Sequence, residues 1–211
     1  MRFNSISRIM LAVVLSISVI ATGCSAQWIS VALADLPVLT QMALNITALI
    51  ATLQSGKQLN PTEASAIQNI SAEASKDLTL LQGLYNAYKS NPSAATLQKI
   101  ETVITDISQS LPALLQTAHI RDAALSVRIT AAVNLIVTTV SSFGSMMPQT
   151  SPSAKMARQN TAVQNAPQEK AVRQNHAIIN GSDLKRQWNQ QVCAPSGNAM
   201  LDAALSERAL R

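Results

Sequence analysis

Apolar residues recur at alternating steps of three and four through most of residues 29–143. In the first stretch they fall at Ile29, Ala32, Leu36, Leu39, Ala43, Ile46, Ile50 and Leu53. This is the heptad spacing of helices that pack side by side at shallow angles. Similar stripes run through residues 67–88, 97–114 and 125–143. The pattern therefore predicts four helices, each burying one face.

Capping signals predict where the first two helices begin. Asp35 precedes the strongest part of the first stripe and would cap a helix that starts at Leu36, with Pro37 in its first turn. Asn60-Pro61-Thr62-Glu63 has the form of a capping box, in which Asn60 caps the helix and Glu63 reaches back to the N–H of the cap. We expect the second helix to follow this box.

Similar signals begin the third and fourth helices. Asn91-Pro92 is the predicted start of the third helix and Asp122 the predicted cap of the fourth. The third stripe keeps its phase across Pro112, so we expect a kink there rather than an end. Because short connections join neighbours, the chain is predicted to be all-α, with residues 35–147 forming an antiparallel up-down-up-down four-helix bundle.

The remainder of the chain has a different composition. Residues 148–181 are rich in Gln, Asn, Pro and Ser, which is typical of a flexible linker. In the tail, residues 182–211, Ser182 and Asn198 would cap two short helices. Since helices of this length are not stable alone, we expect Trp188 to dock on the bundle or on a partner.

The first 23 residues predict export. Arg2 and Arg8 precede an uncharged, mainly apolar run, Ile9–Ala21, and small residues lie between this run and Cys24. A basic start, an apolar run of 13 residues and small residues make up a secretory signal peptide, and such a run is too short to remain as a membrane-spanning helix.

Thr22, Gly23 and Cys24 also resemble the bacterial lipoprotein signal, although Ala21 stands where Leu is usual. The resemblance covers residues 1–24 only and implies that Cys24 carries lipid, with residues 24–34 as a tether. Several acyl chains on one residue suffice for stable anchoring. A serine after the cysteine, as at Ser25, resembles the signal of lipoproteins that are sent to the outer membrane in bacteria with two membranes. Such a protein would face the periplasm. The alternative is ordinary cleavage after Gly23, which gives a soluble product.

The two cysteines connect with this choice. If Cys24 carries lipid, Cys193 is left as a free thiol or pairs with another molecule. If Cys24 is not lipidated, a Cys24–Cys193 disulfide becomes possible. Neither cysteine has the neighbours of a catalytic thiol.

Charge is uneven along the chain. Residues 24–147 hold six basic and seven acidic side chains, whereas residues 148–211 hold eight basic and four acidic ones. The net charge of +5 thus comes mainly from residues 148–211, which we expect to be a solvated flexible segment. The alternative is that these basic residues contact anionic lipid, polysaccharide or nucleic acid. Nucleic acid is not an expected partner because of the export signal and the lack of interleaved aromatic residues.

The sequence contains no nucleotide, metal or hydrolase motif, and neither His119 nor His176 belongs to a Glu-x-x-His pair. We therefore expect no catalytic, cofactor-binding or metal-binding residues. The leading hypothesis is a lipid-anchored envelope protein that acts as a non-enzymatic structural or interaction module, with an envelope protein as partner. One alternative is a carrier of an apolar ligand between the helices. Another is an assembly that inserts its uncharged helices into a membrane.

Overall fold

The computed structural model describes residues 5–57, 59–148 and 180–211, with side chains from Gln27 onward. These residues form helices and connections, and no strand occurs among them, so the all-α prediction is confirmed. In chain order the helices are α1 (Ser5–Ser55), α2 (Pro61–Ser90), α3 (Ala94–Thr117), α4 (Ala123–Met146), α5 (Gly181–Gln191) and α6 (Ala199–Ser206).

The four long helices pack around one core. Helix α1 lies against α2, α2 against α3, and α3 against α4, while α4 also contacts α1. The predicted apolar stripes supply the buried side chains, with Leu36, Ile70, Ile107 and Ile136 fully enclosed. Helix α5 packs against α1 and α4, and α6 packs against α1. Both short helices thus share the core of the long ones.

Helix α1 departs from the sequence prediction. Asp35 is not a cap, and the helix continues through Pro37 from an origin well before Leu36. Trp28 and Ile29 are buried in the core, so the part of the predicted tether that has described side chains is helical and packed. A proline inside a helix removes one hydrogen bond. Burial of the apolar stripe on both sides of Pro37 offsets that loss.

The predicted cap of α2 is confirmed, because the Asn60 side chain accepts from the Glu63 N–H at 2.9 Å. The Glu63 carboxylate differs from our expectation. It accepts from the side-chain amide of Asn60 and, at 2.5 Å, from the N–H of Arg121 in the connection between α3 and α4. The capping box therefore joins two connections of the bundle.

The start of α3 was predicted two residues too early. Ser93 is its cap and accepts from the Thr96 N–H at 3.1 Å, whereas Asn91 ends α2. The residue before a proline avoids helical backbone angles, so Asn91 suits the end of one helix. Helix α3 runs through Pro112 without stopping, as predicted.

Of the remaining predicted caps, two are confirmed and one is wrong. Asp122 caps α4 and accepts from the Leu125 N–H at 2.8 Å, and Asn198 caps α6, both as predicted. Asn180 rather than Ser182 caps α5. The side-chain oxygen of Asn180 accepts from the Asp183 N–H, so the helix begins at Gly181, one residue before Ser182. Helix α6 ends at Ser206.

Candidate functional site

Residues 180–211, called the C-terminal segment below, contact α1 and α4 through both apolar and polar side chains. Its apolar side chains Leu184, Trp188, Val192, Leu201 and Leu205 are all buried. Trp188 was the expected docking residue, and the structure buries it in the common core with its indole N–H donating to the Arg208 carbonyl at 3.0 Å. The segment is thus folded around Trp188 and packed on the bundle.

Arg208 connects the end of this segment to α1. Its guanidinium donates to the Ala48 carbonyl at 2.9 Å and to Thr52 Oγ1 at 2.7 Å. In the opposite direction, Asn45 Nδ2 donates to the Arg208 carbonyl at 3.1 Å. Only 12% of the Arg208 side chain is exposed. Hydrogen bonds from a charged donor strengthen when water is excluded, so this contact fixes the segment to a defined position on α1.

Arg128 of α4 holds the other face of the segment. It donates to the Gln191 carbonyl at 2.9 Å and to the Pro195 carbonyl at 3.0 Å. These carbonyls lie at and just beyond the C-terminus of α5, where a helix leaves its last acceptors unpaired. A cation there also suits the negative end of the helix dipole.

Asp202 shapes the turn between α5 and α6. Its carboxylate accepts from the N–H and the hydroxyl of Ser196, at 2.7 and 2.6 Å, and from the Gly197 N–H at 3.1 Å. These hydrogen bonds, chiefly the one from the Ser196 hydroxyl, lower the pKa of Asp202. Gly197 has a φ of +85°, a left-handed conformation that glycine adopts without strain.

Asp35 of α1 lies where α5 begins. It is 1% exposed and is the one charged residue in the described side chains of α1. One carboxylate oxygen accepts from the N–H of Gly181, and the other, Oδ2, is buried with no hydrogen-bond partner. Desolvation raises the pKa of Asp35 to about 6, and the bond from Gly181 opposes that rise.

Cys193 follows α5 and carries a free, half-buried thiol. Burial raises its pKa, while a hydrogen bond with Trp188 and the nearby Arg128 and Arg208 act in the opposite direction. A raised pKa keeps the sulfur in its unreactive thiol form. The side chain of Cys24 lies outside the described residues, so its lipidation and its pairing with Cys193 stay predictions.

A group of aromatic rings marks one end of the bundle. Trp28 lies edge-on to Tyr85 with ring centroids 5.4 Å apart, and 5.8 Å from Tyr88. Tyr85 in turn lies 6.3 Å from Phe143 of α4. Both Trp28 Nε1 and Tyr85 Oη are buried with no hydrogen-bond partner, and burial raises the pKa of Tyr85. The group is chiefly an apolar contact between three helices.

An open groove of about 630 Å³ runs between α2 and α3. Its lining mixes the small side chains Ala72 and Ala113 with Leu114 and with polar residues such as Asn69 and Ser110. The Ser110 hydroxyl has no hydrogen-bond partner. The groove opens to solvent rather than into the core.

The described titratable residues do not converge. No group of three His, Cys, Asp or Glu side chains that could hold a metal ion occurs in the parts of the chain with described side chains. His119 lies in the connection before α4, with Nδ1 2.6 Å from the Thr117 carbonyl. His176 and most of the predicted linker lie outside the described residues.

Two helical stretches are long and apolar enough to cross a membrane, namely Gln27–Ser55 of α1 and Ala123–Met146, which is α4. Within the apolar 18-residue window of each stretch, 50% and 44% of the residues are buried inside the protein. Core helices of soluble proteins pass the same test, so these stretches allow a membrane association without requiring one.

No family model, curated protein or solved structure matches the chain. The function is therefore argued from the chain's own residues. Sequence reasoning singled out Trp188 and Cys193 but missed Asp35, Arg128 and Arg208 as docking residues. Asp35 offered a signal, because a lone carboxylate on the apolar stripe of residues 27–55, which carry no other charge, requires a specific partner.

Proposed function

We propose that this chain is an exported, lipid-anchored envelope protein that serves as a non-enzymatic structural or interaction module. The leader carries the first half of this proposal: a basic start, the apolar run Ile9–Ala21 and small residues before Cys24. Lipid at Cys24 would hold the bundle beside a membrane, with the outer membrane favoured by Ser25 where two membranes exist. Side chains of α1 are described from Gln27, three residues later, and Trp28 is already buried in the core, so the tether would be very short.

The proposed topology is an antiparallel up-down-up-down bundle. Trp28, near the start of the described part of α1, contacts Tyr85 near the end of α2, which supports opposite directions for these helices. Farther along α1, the Ala43 carbonyl accepts from Ser71 Oγ at 2.6 Å, in the first half of α2. Connections of five, three and five residues between the long helices support the same arrangement for α3 and α4. The aromatic end would then face the anchor.

The use of the ionic groups supports a module rather than an enzyme. Glu63, Asp122 and Asp202 accept backbone N–H groups at caps and turns, while Arg128 and Arg208 donate to carbonyls. Each of these charges holds the backbone in place. This is the observation on which the second half of the proposal rests, because chemistry at a site needs side chains that converge on an open space.

The carrier alternative receives less support. In the described core, the interhelical positions are filled by Leu, Ile and aromatic side chains at zero or near-zero exposure. A pocket beside Leu53, Leu125 and Leu201 has a volume of only about 10 Å³, which is about one water position. The larger groove between α2 and α3 lies at the surface and has a partly polar lining. An apolar ligand would gain little there.

Intact-mass analysis of protein extracted from membranes tests the anchor. We expect a chain that starts at Cys24 and is heavier than its sequence by one diacylglyceryl group and one acyl group. A Cys24→Ala variant is the control, and it should lose both the added mass and the processed N-terminus. An unmodified mature chain in the soluble fraction would contradict the anchor.

A cross-linking pull-down tests the module. The lipidated chain, cross-linked in intact cells and purified under denaturing conditions, should carry one recurrent envelope protein. Native mass spectrometry of the uncross-linked sample separates the alternative, because a carrier would retain non-covalent lipid. Recovery of such lipid without a protein partner would favour the carrier over the module.

A further inference from the structure

Helix α5 begins on a buried carboxylate. The Gly181 N–H, in the first turn of α5, donates to Asp35, and a Cβ built on Gly181 would lie 3.5 Å from Asp35 Oδ1. The positive end of the helix dipole therefore faces this carboxylate. These contacts connect the first residue of α5 to the middle of α1, directly after the region 149–179 that the structure does not describe.

The carboxylate is incompletely satisfied in this position. Asp35 is 1% exposed, and Oδ2 has no hydrogen-bond partner. A buried carboxylate with an unpaired oxygen is costly when charged, and removing the charge relieves that cost while Oδ1 still accepts from Gly181. Docking of α5 covers Asp35, so the charged form of Asp35 opposes docking.

No other charge compensates for Asp35 among the described side chains. On α5, Asp183 pairs with Arg186 at 2.5 Å, and Lys185 donates to the Arg211 carbonyl. Arg128 of α4 and Arg208 bond to carbonyls elsewhere, and Asp77 of α2 lies beside Lys76. None of these groups contributes to the pKa of Asp35, which depends on desolvation and on Gly181 alone.

We propose that docking of the C-terminal segment on α1 is controlled by pH, with the protonated side chain of Asp35 favouring the docked state and the charged side chain weakening it. When the segment detaches, the apolar side chains that it buries, Trp188 and Leu184 among them, become accessible to solvent or to a partner. The bundle would then present a different surface in acidic and in neutral surroundings.

The direction of the effect follows from linkage. The pKa of Asp35 is about 6 when the segment is docked and returns towards the ordinary 3.8 when undocking exposes the side chain. Docking is therefore strongest below pH 3.8 and weakens as the pH rises through about 6. Between pH 5 and pH 7.5 the docking equilibrium should weaken about tenfold, since each pKa unit corresponds to a factor of ten.

Hydrogen exchange of the full chain, followed by mass spectrometry, tests this proposal. The wild type is compared with Asp35→Asn at the same pH, so that the intrinsic exchange rates cancel. Asn keeps an acceptor for Gly181 but cannot ionise. The protection of α5 and α6 in the variant, taken relative to the wild type, should rise about tenfold between pH 5 and pH 7.5, because only the wild type loses docking over this range.

Two further variants keep the test decisive. Asp183→Asn removes a more exposed carboxylate from the same helix and should leave the difference between pH 5 and pH 7.5 as in the wild type. Gly181→Pro removes the N–H at a position where helices accept proline, and it should move the loss of protection to higher pH, because the bond that lowers the pKa of Asp35 is gone.

Equal protection of α5 in the wild type and Asp35→Asn at both pH values would overturn the proposal, as would an unchanged pH profile in Gly181→Pro. Protection of α2 in the same experiment reports on the bundle, and a loss confined to α5 and α6 identifies undocking. Because Asp35 and Gly181 lie outside the leader, the outcome does not depend on whether Cys24 carries lipid.

Discussion

The four long helices and the C-terminal segment are stabilised by different kinds of contact. Between the long helices the buried surface is almost entirely apolar, and the short hydrogen bonds of Ser71 with Ala43 and Thr47 are polar exceptions. The C-terminal segment has one large buried side chain, Trp188, which donates to the Arg208 carbonyl. Arg208 in turn bonds to residues of α1 that lie 156 or more positions earlier in the sequence. Apolar side chains of the long helices could be exchanged for others of similar size with little loss of packing. The C-terminal segment instead requires particular hydrogen-bond donors opposite particular carbonyls.

This difference follows from size. A helix of 24 or 30 residues buries enough apolar surface to be fixed by packing, but α5 and α6 have 11 and 8 residues. So few residues offset the entropy of ordering only when nearly every polar group is also used. Charge-assisted bonds to backbone carbonyls supply that extra stabilisation, and they also make the segment sensitive to the state of a few side chains.

Among the substitutions in the C-terminal segment and its contacts, replacement of Trp188 should lower stability most. Trp188→Ala leaves a cavity at the centre of the segment and removes the bond to the Arg208 carbonyl, which we expect to cost about 3–5 kcal/mol. Because the segment contributes little to the packing between α2 and α3, only α5 and α6 should lose protection in hydrogen exchange.

Leu78→Ala, at a fully buried site of α2, is the matched comparison. It should cost about 2–5 kcal/mol and lower the stability of all helices together in a denaturant titration. If Trp188→Ala also unfolded the long helices as one unit, the two regions would be a single cooperative structure and the contrast would be wrong.

The sequence predicted the apolar part of this structure far better than the polar part. Heptad spacing identified the stripes of α2, α3 and α4 because period and burial are coupled directly. Asp122 and Asn60 were found because a cap acts on residues two or three positions away. The partners of Arg208 lie 156 and 160 residues away, and no local pattern encodes them.

Asp35 illustrates why the rest could not be read locally. As a capping residue it fitted a common signal, Asp followed by an apolar residue and proline, and the structure overturned that interpretation. The same carboxylate instead accepts a hydrogen bond from the first residue of α5, which begins 146 residues later in the sequence. Only the packing of α5 on α1 distinguishes the two roles.

Arg208→Gln should have an intermediate effect. Gln retains part of the length but loses the charge and the bonds to Ala48 and Thr52, which we expect to cost about 1.5–3 kcal/mol. Detachment of the segment should expose the half-buried thiol of Cys193. In a Cys24→Ser background, where Cys193 is the one remaining thiol, its labelling by a disulfide reagent should become at least tenfold faster.

Arg186→Gln is the control for this measurement. Arg186 is 63% exposed and pairs with Asp183 within α5, so its loss should cost less than about 0.5 kcal/mol and leave the labelling rate unchanged. Equal labelling of all three proteins would mean that Arg208 does not hold the segment.

Arg128→Gln should have the smallest effect of the three. Its two acceptors, the Gln191 and Pro195 carbonyls, lie near solvent and can bond to water once the guanidinium is gone, so we expect a loss of about 1 kcal/mol. The loss should shrink at high salt, because part of it is the attraction between a cation and the end of a helix dipole.

Arg121→Gln makes the same change of net charge at an exposed position and should be neutral, since the contact there uses the backbone N–H. Hydrogen exchange at residues 192–197 measures both variants. A larger loss for Arg128 than for Arg208 would move the main attachment of the segment from α1 to α4.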